Sequence, residues 1–113
     1  MIHVVINRTK SDEIHSFEIS GHAFFERRGK DIVCAGVSAV SVGTVNAVHE
    51  LTGVTPGIDH ESGLLRCVIP GNLPEETSRK VQLLLEGMVV ALRTIEIDYG
   101  KHIKITFKKQ EVE

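Results

Sequence analysis

The sequence predicts a single domain of the α/β (α+β) class, in which two helices pack on a sheet of about five strands. The chain has 113 residues, the size of one domain, and its apolar and charged fractions of 42% and 25% are ordinary. One long uncharged segment predicts a buried helix over about 31–52, and a later segment with helical spacing predicts an amphipathic helix over about 74–96. The other apolar runs alternate with polar residues, as strands do: 2–8, 14–20, 56–60, 64–69 and 102–108. Residues 1–113 therefore form one unit.

The first four strands pair as two hairpins. Polar turn residues lie between the first and second strands, and Gly63 lies between the third and fourth. In the last strand Ile103, Ile105 and Phe107 alternate with polar residues, so we expect one face of it to be buried. These patterns do not determine the order of the strands in the sheet.

The uncharged segment is the most apolar part of the chain. It runs from Ile32 to Val48, 17 residues, with Asp31 before it as a helix N-cap. This length is marginal for a membrane span and typical of a buried helix, so we expect the helix at the centre of the fold. Gly36 and Gly43 are seven residues apart, which places them on one helix face and should allow another element to approach closely.

The second helix shows the clearest amphipathic pattern. Pro74 suits the first helical turn, and the acidic residues that follow it complement the helix dipole. Apolar residues mark one face of this helix, which we expect to pack on the sheet: Val81, Leu84, Leu85, Met88, Val89, Leu92 and Ile95.

Charge and cysteine content exclude several classes of function. The chain has 13 Lys and Arg against 15 Asp and Glu, without the basic excess of a dedicated nucleic-acid binder or of a protein that binds anionic membranes. Two cysteines do not make a disulfide scaffold, and no Cys/His spacing suggests a metal site, so we expect no metal and no cofactor. The N-terminus has the pattern of a strand and not of a signal peptide, which favours a cytoplasmic protein with reduced thiols.

Residues 21–30 fit neither the strand nor the helix period. Gly21 and Gly29 bracket this segment, and we expect a long, mobile loop of the functional kind. Phe24 and Phe25 are unusual in such a polar loop. They either tuck into the core or form an apolar lid over a substrate groove.

Cys34 and His22 are the candidate catalytic pair. With Asp31 as the N-cap, Cys34 lies in the first helical turn, where unpaired backbone N–H groups and the helix dipole favour a thiolate and can stabilise an oxyanion. His22 lies on the loop that leads into this turn, and a Cys–His pair is an arrangement for nucleophilic acyl transfer. On these grounds alone the competing interpretation stays open, since a cysteine in such a segment is more often a small buried residue.

Three further residues are candidates for a role in the site or in the core. Asp31 either only caps the helix or also orients His22 as the third member of a triad. Ser38, one turn after Cys34, either donates a hydrogen bond into the site or bonds back to a helix carbonyl. Cys67 alternates with apolar strand residues, and we expect it in the core.

The two parts of this candidate site resemble a family signature. Gly21-His22-Ala23, followed by Gly29-Lys30-Asp31-Ile32-Val33-Cys34-Ala35-Gly36-Val37-Ser38, is similar to the motif of the ribosomal-processing cysteine protease family (Prp). The likeness extends over nearly the whole chain, and the motif is specific because it fixes both parts and their separation. One departure is visible: Gly36 stands where we expect Ala, which leaves the proposed pair intact.

The resemblance implies a small cytoplasmic peptidase that forms a homodimer. Members of the family remove a short N-terminal extension from the precursor of a large-subunit ribosomal protein that lies near the peptidyl-transferase centre. The resemblance assigns the nucleophile to Cys34 and the base to His22, and gives Asp31 a place in the catalytic motif. The residues that we expect to bind the substrate or to close over it are Gly21, Phe24, Phe25, Gly29 and Ser38.

Two hypotheses from other classes remain at this point. The first is a non-enzymatic ribosome- or RNA-associated homodimeric module that contacts RNA through Arg27, Arg28 and Lys30. The net charge of −2 weighs against it. The second is a structural homodimer whose glycine-bearing helix forms the interface.

Overall fold

The computed structural model describes residues 1–21, 28–61 and 63–110, and for residues 28–31 it describes the backbone only. Five strands and two helices lie within these ranges, as predicted, and together they form an α+β fold. The elements in chain order are β1 (Ile2–Arg8), β2 (Ile14–Ser20), α1 (Arg28–Thr52), β3 (Gly57–Glu61), β4 (Leu64–Val68), α2 (Glu75–Tyr99) and β5 (Ile103–Lys109).

The five strands form one mixed sheet in the order β3-β4-β2-β1-β5. Both predicted hairpins are confirmed, because β1 pairs with β2 and β3 pairs with β4, each antiparallel. The hairpins join through an antiparallel β2–β4 pair, and β5 adds to β1 in parallel as the last strand. The order places the β3–β4 hairpin and β5 at opposite edges of the sheet.

One face of the sheet carries the core. Alternation along β1 buries Ile2, Val4 and Ile6 on this face, where the exposed fraction of each is 3% or less. Phe17 on β2 lies opposite Ile6 and opposite Cys67 on β4, and both Phe17 and Cys67 are fully buried. Cross-strand neighbours of this kind produce a continuous apolar row under the helices.

α2 behaves as its sequence pattern predicts. It buries Val81, Leu85, Met88, Val89 and Leu92, all from the predicted apolar face. Polar contacts also join it to the sheet: the Gln82 side chain bonds both the N–H and the C=O of Ile14 at 2.8 Å, and a Glu96 oxygen accepts the N–H of Ile105 at 2.9 Å.

α1 begins earlier than predicted. Its first residue is Arg28, so the backbone of Asp31 lies inside the helix and the prediction of an N-cap at Asp31 is wrong. Gly29, which was predicted to close the loop, belongs to the helix. A glycine inside a helix costs only about 1 kcal/mol, which tertiary packing can offset. Phe24 and Phe25, and with them the predicted lid, lie outside the described residues.

α1 is confirmed as a helix, but it is not buried on all sides. Within Ile32–Thr52 only 22% of the most apolar window is buried, and Val42 and Leu51 are exposed. By length and composition alone this segment would qualify as a membrane span, a weak criterion that core helices of soluble proteins also meet. Here the described residues of its inner face pack into the domain: Val33, Val37, Ser41 and Val48.

The two helix glycines differ in their surroundings. A Cβ atom on Gly36 would lie 3.6 Å from Cδ1 of Ile95, so α2 approaches α1 closely at this point. A Cβ atom on Gly43 would meet nothing within 4 Å. The predicted close approach is therefore confirmed at Gly36 and wrong at Gly43.

Candidate active site

Cys34 lies in an open groove between α1 and the β3–β4 hairpin. The groove encloses about 200 Å³, and Cys34 is half-buried in it. This size suits one or two side chains of a polypeptide better than a large cofactor. The polar and backbone groups along it come from α1, the hairpin and the end of β2: Ser38, Ser41, His60, Glu61, Gly63 and Gly21.

The early start of α1 changes the surroundings of Cys34. Because the helix begins at Arg28, Cys34 is its seventh residue and lies beyond the first turn. An N–H group at this position donates to the carbonyl four residues earlier, so it is not available to an oxyanion. The prediction of Cys34 in the first turn is therefore wrong. Ser38 does lie one turn further along the same groove.

Gly21 leads the chain from β2 into this groove. Its N–H donates to the carbonyl of Gly63 in the hairpin turn at 3.0 Å, and its φ is +84°. A Cβ atom at this position would lie 2.3 Å from the carbonyl oxygen of Met1, so only glycine fits. His22 follows directly and lies outside the described residues. The side chain of Asp31 also lies outside them.

Cys67 has the opposite environment from Cys34. Its side chain is fully buried opposite Phe17, as predicted. Burial raises the pKa of the Cys67 thiol to about 11, so it stays protonated at neutral pH. A thiol that is neither accessible nor ionised is a poor nucleophile. Of the two cysteines, only Cys34 lines the groove.

Sequence reasoning missed the contribution of the β3–β4 hairpin. His60 and Glu61 line the groove opposite α1, whereas the sequence presents His60 only as one of the five scattered histidines other than His22. Alternation predicts that His60 and Ile58 share a face of β3, and the register with β4 confirms it. No sequence signal places this face beside α1, because that depends on the pairing of β4 with the distant β2.

No metal centre is apparent in the part of the chain that the structure describes. Across residues 1–21, 28–61 and 63–110, no three His, Cys, Asp or Glu side chains converge on a possible metal site. The chemistry that these residues offer is that of a thiol in a peptide-sized groove.

A half-buried thiol in a surface groove is accessible to a bound polypeptide, and a thiol nucleophile can carry out acyl transfer when a base activates it. Comparison with known proteins makes the class specific. The sequence model of the family described as cysteine protease Prp matches residues 1–104. The chain belongs to the cysteine protease Prp family, and it is a cysteine protease.

Two relatives show how much of the chain the likeness covers. The ribosomal processing cysteine protease Prp of Bacillus subtilis (strain 168) is 45% identical over 108 residues, which are 94% of this chain and 96% of that protein. The protein of the same name from Staphylococcus aureus (strain Mu50) is 36% identical over 112 residues, covering 96% and 100% of the two chains. The resemblance predicted from the sequence is therefore confirmed.

Solved structures agree with the fold. The crystal structure of the S. aureus Prp protease in complex with a substrate peptide superposes with a TM-score of 0.85, at 34% identity, over 96% of this chain and all of that one. The same protease in complex with a covalently linked product peptide gives a TM-score of 0.83, at 35% identity and the same coverage. Together with its family membership, these likenesses set aside the non-enzymatic alternatives.

Proposed function

We propose that this protein is an endopeptidase that removes the N-terminal extension from the precursor of a large-subunit ribosomal protein during ribosome maturation. Cys34 is the nucleophile and His22 the general base. The observation that carries the proposal is the contrast between the positions of the two thiols: Cys34 lines the groove, whereas Cys67 is fully buried in the core. The ribosomal substrate is supported by the names of the relatives, which are ribosomal processing proteases.

The position of Gly21 supports the role of His22. Gly21 lines the same groove as Cys34 and donates its N–H to the carbonyl of Gly63, and His22 is the next residue in the sequence. Asp31 remains a candidate for orienting His22, and Ser38 for contacting the substrate.

The reaction follows from these roles. His22 takes the proton of Cys34, and the sulfur attacks the carbonyl carbon of the scissile peptide bond. The C–N bond then breaks, and His22 gives the proton to the leaving amine while the acyl group stays on the sulfur as a thioester. Water, deprotonated by His22, attacks the thioester, which releases the acid and restores the thiol.

The test is cleavage of the unprocessed ribosomal protein, followed by mass spectrometry. The parent and Cys67→Ala should give the same two products, whereas Cys34→Ala should lose at least about 10³-fold in kcat/KM. Cys67→Ala is the matched control because it removes the other thiol. Equal cleavage by parent and Cys34→Ala would refute the nucleophile. Cleavage of unrelated unfolded proteins at the same rate would refute the substrate.

The homodimer expected from the resemblance is supported by the outer face of α2. Leu83, Val90 and Ile97 are 73%, 64% and 82% exposed and repeat every seven residues. The stripe is symmetric about Val90, so an antiparallel second copy would place Leu83 against Ile97 of its partner.

Sedimentation over a range of concentrations tests this interface. Val90→Asp should yield monomers, whereas Leu51→Asp, on the exposed part of α1, should leave the dimer intact. Dimers that persist in Val90→Asp, or a parent that is monomeric at high concentration, would contradict the proposal.

We also propose that the enzyme is cytoplasmic, because a chain with only two cysteines does not have the composition of a secreted disulfide scaffold. Cell fractionation, with detection of the protein in the soluble or the membrane fraction, checks this location. Recovery in the membrane fraction would make the apolar segment Ile32–Thr52 an anchor.

A further inference from the structure

The groove at Cys34 continues along α1 into a second depression. The two share Val42, His60 and Leu65, so they form one trough between α1 and the β3–β4 hairpin. The distal part of the trough adds Val45, Asn46 and Ile58 to the shared residues. It contains no Asp, Glu, Lys or Arg side chain among these residues, and its walls are largely apolar.

The trough follows from helix and strand geometry. Cys34, Ser38, Val42 and Val45 are three or four residues apart, so they lie along one face of α1. Ile58 and His60 are two residues apart on β3 and share the strand face that is turned toward α1. Every residue of the edge strand β3 is exposed, so no other described element covers this side of the trough.

The exposure of the apolar walls is what needs an explanation. Val42 and Ile58 are each 47% exposed, although they border a groove. Large apolar side chains around a concave surface are typical of sites that bind apolar ligand groups. Because the depression is continuous with the groove at Cys34, the occupant that fits it is the substrate polypeptide itself.

We propose that the distal trough at Val45 and Ile58 is a remote subsite that takes an apolar side chain of the substrate. The proposal rests on the proposed function, in which Cys34 attacks the scissile bond. Cys34 and Val45 are eleven residues apart on α1, about 16 Å at 1.5 Å per residue. An extended peptide covers this distance in about five residues. The side chain bound here therefore lies about five residues from the scissile bond.

Such a subsite gives selectivity without adding a chemical group. An apolar contact that far from the reacting atoms is made equally in the ground state and the transition state, so it lowers KM and leaves kcat unchanged. Short peptides that end before the subsite gain nothing from it. The enzyme would therefore distinguish its substrate from chains that match only around the cleaved bond.

The experiment compares two variants of the same hairpin. Ile58→Ser removes the apolar wall of the subsite, and Val68→Ser is the matched control, since Val68 is 42% exposed on the opposite face of the hairpin. Each is assayed with two peptides from the ribosomal protein precursor. A long peptide extends eight residues on either side of the cleaved bond, and a short peptide extends three.

The subsite predicts a selective effect on the long peptide. Ile58→Ser should raise its KM roughly tenfold with kcat unchanged, and should leave kcat/KM for the short peptide unchanged. Val68→Ser should change neither. Shortening the long peptide at one end should raise its KM for the parent as much as Ile58→Ser does, and shortening it at the other end should leave KM unchanged. Replacing the apolar residue at that end of the peptide by Ser should raise KM for the parent, but should raise it little for the Ile58→Ser variant, because both changes remove the same contact.

Several results would overturn the subsite. An Ile58→Ser variant with an unchanged KM for the long peptide would contradict it, and so would equal losses of kcat/KM on the long and the short peptide. A change of oligomeric state in Ile58→Ser without a change in KM would assign the trough to a second copy of the chain. Binding of the labelled long peptide to Cys34→Ala, measured by fluorescence anisotropy with and without Ile58→Ser, separates this inference from the proposed function. Weaker binding in the double variant supports the subsite even if the parent cleaves neither peptide.

Discussion

The two helices of this protein have the same length and different tasks. α1 and α2 each have 25 residues and pack against one another where Ile95 meets Gly36. α2 buries one apolar face and exposes Leu83, Val90 and Ile97 on another, and its side chains bond the sheet through Gln82 and Glu96. α1 carries Cys34, and the hydroxyls of Ser41, Thr44 and Thr52 bond back to its own carbonyls.

The difference shows that the absence of charge does not mean burial. α1 is the more apolar helix, yet much of its apolar surface faces the trough or the solvent. α2 has several charged residues and supplies five fully or nearly fully buried core side chains. Exposed apolar residues do not distinguish the two helices, since α2 also exposes Leu83, Val90 and Ile97. The helices differ in the number of large apolar side chains that they bury in the core, five from α2 against Val33, Val37 and Val48 among the described side chains of α1.

The largest expected effect is on the core side of α2. Leu85 is 1% exposed, so Leu85→Ala should lower the free energy of unfolding by about 2.7–5 kcal/mol, the range for a buried leucine that leaves a cavity. Leu51→Ala on α1, where the side chain is 70% exposed, should cost less than about 0.5 kcal/mol. Urea denaturation measures both. Equal losses in the two variants would remove the distinction between the helices.

The ionisation of the buried Cys67 thiol predicts that stability depends on pH. Cys67 has a folded-state pKa of about 11 against an ordinary value of 9.0, so the folded protein holds this proton more tightly than the unfolded chain. Its contribution to stability is complete below pH 9 and is lost as pH rises through 11, by about 3 kcal/mol. The stability advantage of the parent over Cys67→Ala should therefore shrink over this interval.

Urea denaturation at pH 8 and at pH 11 measures this loss. Leu85→Ala is the control, because the cost of its cavity should not depend on pH. A parent that keeps a constant advantage over Cys67→Ala at both pH values would mean that Cys67 ionises normally in the folded protein.

The polar side chains of α2 should contribute more to stability than those of α1. Gln82→Ala leaves the N–H and C=O of Ile14 without their side-chain partner and should cost about 1–3 kcal/mol. Ser41→Ala removes a hydroxyl that only bonds back to the carbonyl of Val37, and should change stability by less than about 0.5 kcal/mol. Thermal melts followed by circular dichroism would compare them. A larger loss in Ser41→Ala would show that α1 depends on polar contacts as much as α2 does.

The smallest expected effect is a gain on α1. Gly43→Ala should stabilise the protein by about 0.5–1 kcal/mol, because alanine favours the helix and the new methyl group meets nothing within 4 Å. The melting temperature should rise while the oligomeric state and kcat/KM stay unchanged. If the parent is a dimer and Gly43→Ala is a monomer, the glycine-bearing helix and not α2 forms the interface.

The sequence predicted the elements well and the site only in part. The period of α2 and the alternation of β1 depend on neighbouring residues, so they can be read directly from the chain. The groove depends on β2 pairing with β4, a long-range choice that placed His60 and Glu61 opposite Cys34. Gly29 disfavours a helix and Asp31 is a preferred N-cap, so local preferences predicted a later start than Arg28, where α1 begins.

The most direct test of Cys34 as the nucleophile is to map a covalent adduct. A peptide with the sequence of the removed extension, ending in a chloromethyl ketone at the cleaved position, transfers its carbon to the attacking sulfur and releases chloride. Tandem mass spectrometry should locate a single adduct on Cys34, none on Cys67 and none in Cys34→Ala, and a scrambled peptide ketone should react far more slowly. An adduct on Cys67, or equal labelling of Cys34→Ala, would contradict the assignment.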